Sequence, residues 1–171
     1  REPEHPVPLT LPVREIRFDR VAFRYDEGDV LRDINLSIDA GEKVALVGSS
    51  GSGKSSLVSL VPRFYDPTEG AVTLNGVDLR DLSFQDLRSR IALVTQDTFL
   101  FNDTIARNIA FGEAEPDAVR MEEAARRAHA HDFILGMARG YDTVAGERGG
   151  RLSGGQKQRL AIARAIYRDA P

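Results

Sequence analysis

The amino-acid sequence predicts an α/β fold, in which a β-rich part leads into a mostly helical part with the boundary near Gln96. Two observations support this. Before Gln96, apolar residues alternate with polar ones or form short continuous runs, as they do in strands. After Thr104, apolar residues recur at helical spacing. The chain of 171 residues is 42% hydrophobic and 29% charged, a composition typical of globular domains with their own core.

The first 13 residues, REPEHPVPLTLPV, contain prolines at positions 3, 6, 8 and 12. Because proline breaks helices and favours extended backbone, we predict that residues 1–13 form a linker from an upstream region. The remaining chain divides into a β-rich core, residues 14–96, and a helical part, residues 97–171.

Several segments of the β-rich part predict strands. EIRFDRVAFRY (15–25) alternates apolar and polar residues, with a bulge or register change expected near Arg20. INLSID (34–39) repeats the two-residue period. KVALVG (43–48) and IALVTQ (91–96) are continuous apolar runs, which predict strands buried on both faces of a sheet.

Two helices and a hairpin are predicted between these runs. One helix spans Ser55–Val61 and stops at Pro62, and another spans Ser83–Arg90 with Ser83 as its N-cap. GAVTLNGVDL indicates a strand followed by a turn at Asn75-Gly76. Beyond Thr104, the segments 104–111, 117–137 and the closing run are all helical in period.

Bulk properties exclude several classes of protein. The net charge of −3 gives no general positive field for nucleic acid. The absence of cysteine excludes a disulfide framework and fits a reducing compartment. Apolar runs such as Val44–Val47 are far too short to span a membrane, and a start at Arg1 is expected of an excised or processed segment.

The segment GSSGSGKSS (48–56) satisfies the phosphate-loop pattern G-x-x-x-x-G-K-[ST] through Gly48, Gly53, Lys54 and Ser55. Glycines allow backbone N–H groups to converge on an anion, and the following helix N-terminus adds a positive dipole end. Lys54 supplies charge to the outer phosphates, and the Ser55 hydroxyl is placed to bind Mg²⁺.

A dinucleotide-binding loop is the other Gly-rich candidate for this segment. It requires a third small residue, glycine or alanine, at the position that Ser56 occupies after Gly51 and Gly53. The sequence therefore does not fit a dinucleotide-binding loop.

LSGGQ (152–156), at this distance from a phosphate loop, resembles the signature of ATP-binding-cassette (ABC) ATPases. By itself, Ser-Gly-Gly before a helix is usually only an N-cap. The resemblance implies a P-loop NTPase core with an antiparallel β subdomain and a helical subdomain. It also implies that two such domains pair head to tail, so that Ser153, Gly154, Gly155 and Gln156 of one domain contact the ATP held by the other.

The resemblance assigns further residues to ATP and Mg²⁺. Tyr25 matches the aromatic residue that stacks on adenine, although a strand aromatic can also be a core residue. Gln96 matches the glutamine that senses Mg²⁺ and the attacking water, which makes Lys54 and Gln96 the catalytic candidates and Ser55 and Gln96 the metal candidates. The remaining loop residues, Ser49, Ser50, Gly51, Ser52 and Ser56, complete the implied nucleotide site.

Other segments indicate the exporter branch of the family. TVAGERG (143–149), with Glu147, resembles the segment that contacts the membrane domain in exporters, and FLFNDTIARNIAFG (99–112) has an exporter-like sequence. Residues 13–171 can be matched to bacterial lipid-exporting half-transporters, most closely the lipid A exporter group. The resemblance implies a motor attached to its own transmembrane domain through coupling helices, at the cytoplasmic face of the bacterial inner membrane, with the isolated segment soluble.

The family pattern also predicts what should follow Pro171. A strand ending in Asp-Glu, which holds Mg²⁺ and polarises the attacking water, and a switch histidine are expected there, so this chain corresponds to the N-terminal part of the domain. We expect weak nucleotide binding at best and essentially no turnover. We also expect open apolar faces beside KVALVG that favour aggregation or swapping.

Three alternatives differ in class. A soluble ABC ATPase of DNA repair would carry long coiled-coil or zinc insertions, and here only about a hundred residues without cysteine separate the two motifs. An importer motor lacks the fused lead-in that the Pro-rich segment indicates. A stand-alone nucleotide-binding module is the third, and a continuation of the gene into Asp-Glu would exclude it.

Some residues are given structural interpretations. His129 and His131 form H-x-H, but residues two apart on a helix point to different faces, so a solvated surface is favoured over a metal site. Arg126, Arg127 and the basic residues of 157–168 are interpreted as exposed helix faces. Phe99, Leu100 and Phe101 fit either core packing or a groove for a coupling helix.

Overall fold

The computed structural model describes residues 2–26, 28–113 and 115–171. The chain divides into two compact units: residues 1–91 with residue 171, here named the sheet unit, and residues 92–170, here named the helical unit. Within the described ranges, no helix has the length and apolar character needed to cross a membrane.

The sheet unit is built on a four-stranded sheet in the order β2-β1-β3-β4, with every neighbouring pair antiparallel. The strands are β1 (Glu15–Tyr25), β2 (Gly28–Asp39), β3 (Glu69–Leu74) and β4 (Val77–Asp78). Phe18, Val21 and Phe23 of β1 are all buried in the core of this unit, with one extra residue between Phe18 and Val21. The period-two pattern therefore places one face of β1 inward, as predicted.

The bulge predicted in β1 is present. The register of β1 against β2 shifts between Phe18 and Val21, and Arg20 has a φ of 47°. An extra residue in one strand of an antiparallel pair produces this kind of local irregularity.

The turn predicted between β3 and β4 lies at Asn75-Gly76, with φ values of 52° and 80°. Positive φ at both central residues matches a type I′ hairpin turn, in which asparagine and glycine are preferred. This prediction is confirmed.

The side chain of Asn75 also binds the segment before β1, residues 2–13, here named the lead-in. Its Oδ1 accepts from the N–H groups of Arg14 (2.7 Å) and Glu15 (3.2 Å). Its Nδ2 donates to the carbonyls of Thr10 (2.7 Å) and Pro12 (2.9 Å). We call these four hydrogen bonds the Asn75 clasp. One amide thus binds the end of the lead-in and the start of β1, and this holds the lead-in against the β3–β4 turn.

Further contacts hold the rest of the lead-in. The Val7 N–H donates to the Asp81 carbonyl at 2.8 Å, and the carboxylate of Glu2 accepts from the Phe84 N–H at 2.9 Å. Residues 2–13 form no helix or strand, as their prolines predict, but they are attached to the sheet unit.

The helices of the sheet unit follow the predicted positions. They are α1 (Lys54–Leu60) and α2 (Phe84–Ser89), with a 3₁₀ turn at Leu79–Asp81. Ser83 caps α2 by accepting from the Asp86 N–H at 3.0 Å, as predicted.

The prediction that KVALVG and IALVTQ form buried strands is wrong for this structure. Residues 43–48 and 91–96 belong to no strand, and Val47 is 93% exposed. A strand buried on both faces needs hydrogen-bonded neighbours on both edges, and no described residue pairs with either segment. Most of their apolar side chains, including Leu46 and Leu93, therefore remain exposed, whereas Ile91 packs against the core of the sheet unit. The aggregation expected of such surfaces stays a prediction.

The helical unit contains α3 (Ile105–Ile109), α4 (Ala118–Arg127), α5 (His131–Leu135) and α6 (Gly154–Arg168), with 3₁₀ turns at Gly140–Asp142 and Glu147–Gly149. Its core is formed by side chains with no measurable exposure, among them Leu100, Ile105, Ile109, Ile134 and Leu160.

The helical period of residues 117–137 resolves into two helices. α4 ends at Arg127 and α5 begins at His131, with His129 between them at a φ of 53°. Residues 117–137 do not form one uninterrupted helix, because a residue with left-handed backbone cannot continue a right-handed helix.

Candidate functional site

The phosphate loop lies between residue 48 and α1. Gly53 is the N-cap of α1 with a φ of 86°, and no side chain among the described residues caps the helix. Within the loop, the Ser52 N–H donates to the Ser49 carbonyl at 3.3 Å. The start of α1 is therefore left without a side-chain acceptor, as an anion site at a helix start requires.

The Lys54 amine lies inside this loop. Its Nζ donates to the carbonyls of Gly48 (2.9 Å) and Ser49 (2.7 Å) and contacts the Ser52 hydroxyl at 3.1 Å. Three loop oxygen atoms thus hold one positive charge at the centre of the loop. If a phosphate entered the loop, its oxygen atoms would replace these loop oxygen atoms as acceptors for the Lys54 amine.

Gly53 also sets the distance between the loop and the sheet. A Cβ at this position would lie 2.8 Å from Leu31 Cδ2 and 3.0 Å from the Val30 carbonyl oxygen. Only glycine allows both this close approach to β2 and the positive φ.

Tyr25, at the end of β1, lies beside the helix that follows the loop. Its hydroxyl is 3.3 Å from the Ser56 hydroxyl in α1, and its ring is 44% exposed. Phe23 contacts the Tyr25 ring edge-on, with centroids 4.8 Å apart. The sheet unit therefore brings the predicted base-stacking residue next to the phosphate loop.

A residue that the sequence prediction missed completes this aromatic cluster. Tyr65 packs edge-to-face against Tyr25 at a centroid distance of 5.4 Å. The two tyrosines are separated by forty positions in the chain, and no local pattern connects them. Only the fold places them together.

The signature segment forms the start of α6. Ser153 is its N-cap and makes a capping box with Gln156: the Gln156 N–H donates to Ser153 Oγ at 3.3 Å, and the Ser153 N–H donates to Gln156 Oε1 at 2.9 Å. Gly154 and Gly155 are the first two residues of the helix, and both are exposed. Ser153 is therefore an N-cap, and the contact of this segment with ATP stays a prediction.

Gln96 lines the same cleft of the helical unit as Gly154. The cleft has a volume of about 570 Å³ and carries two cationic side chains, Arg148 and Lys157. Its other lining residues are Asp97, Thr98, Phe99 and Gln158. The structure therefore brings Gln96 to the signature helix within this unit, while Tyr25 and residues 48–56 belong to the sheet unit.

The segment 99–101 divides between core and surface. Leu100 is fully buried, whereas Phe99 and Phe101 are 52% and 38% exposed. Phe101 stacks on the exposed Phe111 ring at 4.6 Å. Core packing is therefore confirmed for Leu100, and a coupling-helix groove at the exposed Phe99 and Phe101 stays a prediction.

The surface interpretation of the basic residues in α6 is wrong for Arg164 and holds only in part for the half-buried Lys157 and Arg159. Its Nε donates to the Asn108 carbonyl at 2.7 Å, and its Nη1 donates to the Phe99 carbonyl at 3.2 Å. Burial lowers the pKa of the Arg164 guanidinium from its ordinary value. Arg164 thus links the backbone at Asn108 to the backbone at Phe99. Arg126 and Arg127 are exposed, as predicted.

The two histidines do not share a helix surface. His129 is exposed in the break between α4 and α5, and His131 is buried with its Nδ1 2.9 Å from the Tyr141 hydroxyl. Burial raises the pKa of Tyr141. The solvated-surface prediction is therefore wrong for His131. Among the described residues, no group of His, Cys, Asp or Glu side chains could hold a metal ion.

A glycine-rich loop that surrounds a lysine at the start of a helix, with an exposed tyrosine beside it, defines a P-loop nucleotide-binding domain. A profile of the ABC transporter family matches residues 31–171, and the chain belongs to that family. The predicted fold class, an α/β ABC ATPase with an antiparallel sheet and a helical part, is confirmed.

Relatives with curated names indicate the exporter branch. The chain is 57% identical over 158 residues to an ATP-dependent lipid A-core flippase of Chromohalobacter salexigens, covering 91% of this chain and 27% of that protein. It is 56% identical over 174 residues to the flippase of the same name in Alkalilimnicola ehrlichii, covering 99% of this chain and 30% of that protein. A Bacillus subtilis protein provisionally named a multidrug export ATP-binding/permease protein is 49% identical over 158 residues, covering 91% of this chain and 27% of that protein.

A solved structure gives the same result. A bacterial Atm1-family ABC exporter with ATP bound superposes with a TM-score of 0.92 at 42% identity, covering 99% of this chain and 30% of that one. The chain is thus homologous to the nucleotide-binding domain of ABC exporters, and it spans less than a third of the length of these relatives.

Proposed function

We propose that this chain is an ATP-binding motor segment of an ABC exporter. The observation that carries the proposal is the Lys54 amine, held by Gly48, Ser49 and Ser52 in a loop next to Tyr25. A cation surrounded by exchangeable oxygen atoms at an uncapped helix start suits the outer phosphates of a nucleotide. In this proposal, residues 48–56 bind the phosphates and Tyr25 stacks on adenine.

We also propose a Mg²⁺ ion at this loop. Ser55 is exposed in the first turn of α1 and offers a hydroxyl oxygen, the hard ligand type that Mg²⁺ prefers. Mg²⁺ usually takes its other ligands from phosphates and water, so one protein hydroxyl fits the donor set. When bound, the ion neutralises charge on the transferred phosphate. The family pattern assigns Gln96 a role toward the metal and the attacking water, and in this structure Gln96 lies in the cleft of the helical unit beside Gly154.

The proposed partner in the intact protein is a second nucleotide-binding domain, placed head to tail. The exposed helix start at Gly154 and Gly155 supports it, because no described atom outside their chain neighbours and the helix backbone lies within 4 Å of a Cβ position at either residue. Backbone N–H groups there, with the Ser153 hydroxyl, suit a phosphate held by the other domain.

The membrane-domain partner is proposed to dock on the helical unit. The cleft beside Gln96 and the exposed Glu147 and Phe99 form a surface of charged and aromatic groups. The corresponding location is the cytoplasmic face of the bacterial inner membrane. A lipid or another amphipathic molecule is the proposed cargo, because the relatives are named for lipid A-core and multidrug export.

Hydrolysis is proposed for the intact protein alone. Lys54 would stabilise charge on the γ-phosphate, and Gln96 would orient water. The activating Asp-Glu of the family is expected beyond Pro171. We therefore expect residues 1–171 to show negligible ATPase activity, measured as phosphate release.

The experiment is a calorimetric or ligand-observed NMR titration of residues 1–171 with MgATP. We expect weak binding that falls at least tenfold in Lys54→Ala, because the substitution removes a charge that contacts the phosphates. Lys43→Ala is the matched control, since Lys43 is an exposed lysine before the loop, and it should leave the affinity unchanged. Equal affinity in the parent and Lys54→Ala would overturn the proposed site.

A further inference from the structure

Three aromatic rings form a compact group at the edge of the proposed adenine site. The Phe23, Tyr25 and Tyr65 centroids are 4.8 to 5.4 Å apart, and the Tyr25–Tyr65 planes are at 90°. Edge-to-face geometry is favoured because the positive ring edge meets the negative ring face. Phe23 is 4% exposed, whereas Tyr25 and Tyr65 are 44% and 46% exposed. The group therefore has a buried base and two half-open rings.

Each of the contacts of Tyr25 restricts a different part of its side chain. The Ser56 hydroxyl lies 3.3 Å from the phenol oxygen, and Ser56 itself is buried. Phe23 contacts the ring from the strand, and Tyr65 contacts it from the segment after α1. Without Tyr65, the Tyr25 ring would lose its only described ring contact from outside β1.

The segment that carries Tyr65 is firmly held. Arg63, two residues earlier, is buried and donates to the Leu79 carbonyl at 3.0 Å and to the Asp66 carboxylate at 2.9 Å. Thr68, three residues later, donates its N–H and its hydroxyl to the Ala22 carbonyl at 2.9 and 3.0 Å. Tyr65 thus lies between two residues that hydrogen bonds hold in place, Arg63 and Thr68, and the bonds of Thr68 are to β1.

We propose that Tyr65 is a positioning residue for the base of an adenine nucleotide: it fixes the orientation of the Tyr25 ring, so that one face is presented to the purine. The inference rests on the proposed function, because Tyr25 is the proposed stacking residue. Tyr65 acts through Tyr25 and contributes nothing to the phosphates, which interact with the loop around Lys54.

The experiment compares two probes on residues 1–171 by ligand-observed NMR: MgATP, and magnesium tripolyphosphate, which has no base. Tyr65→Leu should weaken MgATP binding by roughly two- to tenfold, the range expected for one aromatic pair, and leave tripolyphosphate binding unchanged. Tyr65→Phe keeps the ring and should bind both probes as the parent does.

A matched control lies next to Tyr65 in the chain. Phe64 is 54% exposed, and its ring lies 5.7 Å from the Arg88 guanidinium. Phe64→Leu should leave both affinities unchanged. A double substitution adds a second test: in a Tyr25→Leu background, Tyr65→Leu should have no further effect on MgATP, because a positioning residue needs the residue that it positions.

The outcomes separate this inference from the proposed function. Loss of MgATP binding in Lys54→Ala with no change in Tyr65→Leu would overturn the role of Tyr65 and keep the site. Equal losses for both probes in Tyr65→Leu would show a general structural role, and additive losses with Tyr25→Leu would show direct contact with the base; either result overturns positioning. Absence of MgATP binding to the parent would overturn the proposed site and this inference together.

Discussion

The two glycine-serine segments that precede helices in this chain differ in why they need glycine. In the phosphate loop, Gly53 has a φ of 86°, and a Cβ there would lie 2.8 Å from Leu31 Cδ2. In the signature, Gly154 and Gly155 have no positive φ, and apart from neighbouring backbone no atom of the described chain lies within 4 Å of the Cβ position. The signature helix is capped by Ser153, whereas the helix after the loop has no side-chain cap.

This difference shows that the fold requires glycine at position 53 and does not require it at positions 154 and 155. Gly53 is needed by the backbone even without nucleotide, because a side chain would collide with β2. Gly154 and Gly155 are not needed by this chain, since alanine fits the space and is a better helix former. Open space at both positions is what the proposed head-to-tail pairing needs, because that proposal places a phosphate at the start of α6.

The largest effect is expected for Gly53→Ala. Strain in the left-handed backbone and overpacking against Leu31 should lower the free energy of unfolding by about 2–4 kcal/mol. Urea denaturation of the chain measures this. Gly51→Ala is the matched control, because Gly51 has a φ of 81° with nothing within 4 Å of its Cβ position. It should lose only the strain, about 1–2 kcal/mol; equal losses would remove the argument from close approach.

A smaller effect is expected for the cap of α6. Ser153→Ala removes the acceptor for the Gln156 N–H and should lower the free energy of unfolding by about 1 kcal/mol. Ser153→Asp restores an acceptor and places a negative charge at the positive helix end, so it should keep the parent stability. If Ser153→Ala left the urea midpoint unchanged, the capping box would have no energetic role.

The smallest effect has the opposite sign. Gly155→Ala should raise the free energy of unfolding by about 0.5 kcal/mol, because alanine lowers the entropy of the unfolded chain and favours helix. Ala165→Gly, in the interior of the same helix, should lower it by about 0.5–1 kcal/mol. Destabilisation by Gly155→Ala would mean that the fold itself needs this glycine, and the contrast with Gly53 would disappear.

Local features of the fold could be predicted from the sequence. The Asn75-Gly76 turn, the Ser83 cap and the bulge near Arg20 are encoded in residues close in the chain, and each is present. The phosphate-loop residues are likewise contiguous, so their pattern alone indicates the chemistry.

Features that depend on distant partners could not be predicted. The runs 43–48 and 91–96 have the composition of buried strands, but burial depends on neighbouring strands that no local pattern supplies. Tyr65 meets Tyr25 only because the segment after α1 returns to β1. The break at His129 interrupts an alanine-rich stretch that contains neither glycine nor proline between residues 117 and 135.

The Asn75 clasp gives the lead-in a fixed direction. A free proline-rich segment of twelve residues could extend over roughly 35–40 Å and take many directions relative to the sheet. Here the amide of one turn residue holds Thr10 and Pro12, and the Asp81 carbonyl holds Val7. The path by which the chain enters β1 is therefore determined by the β3–β4 hairpin.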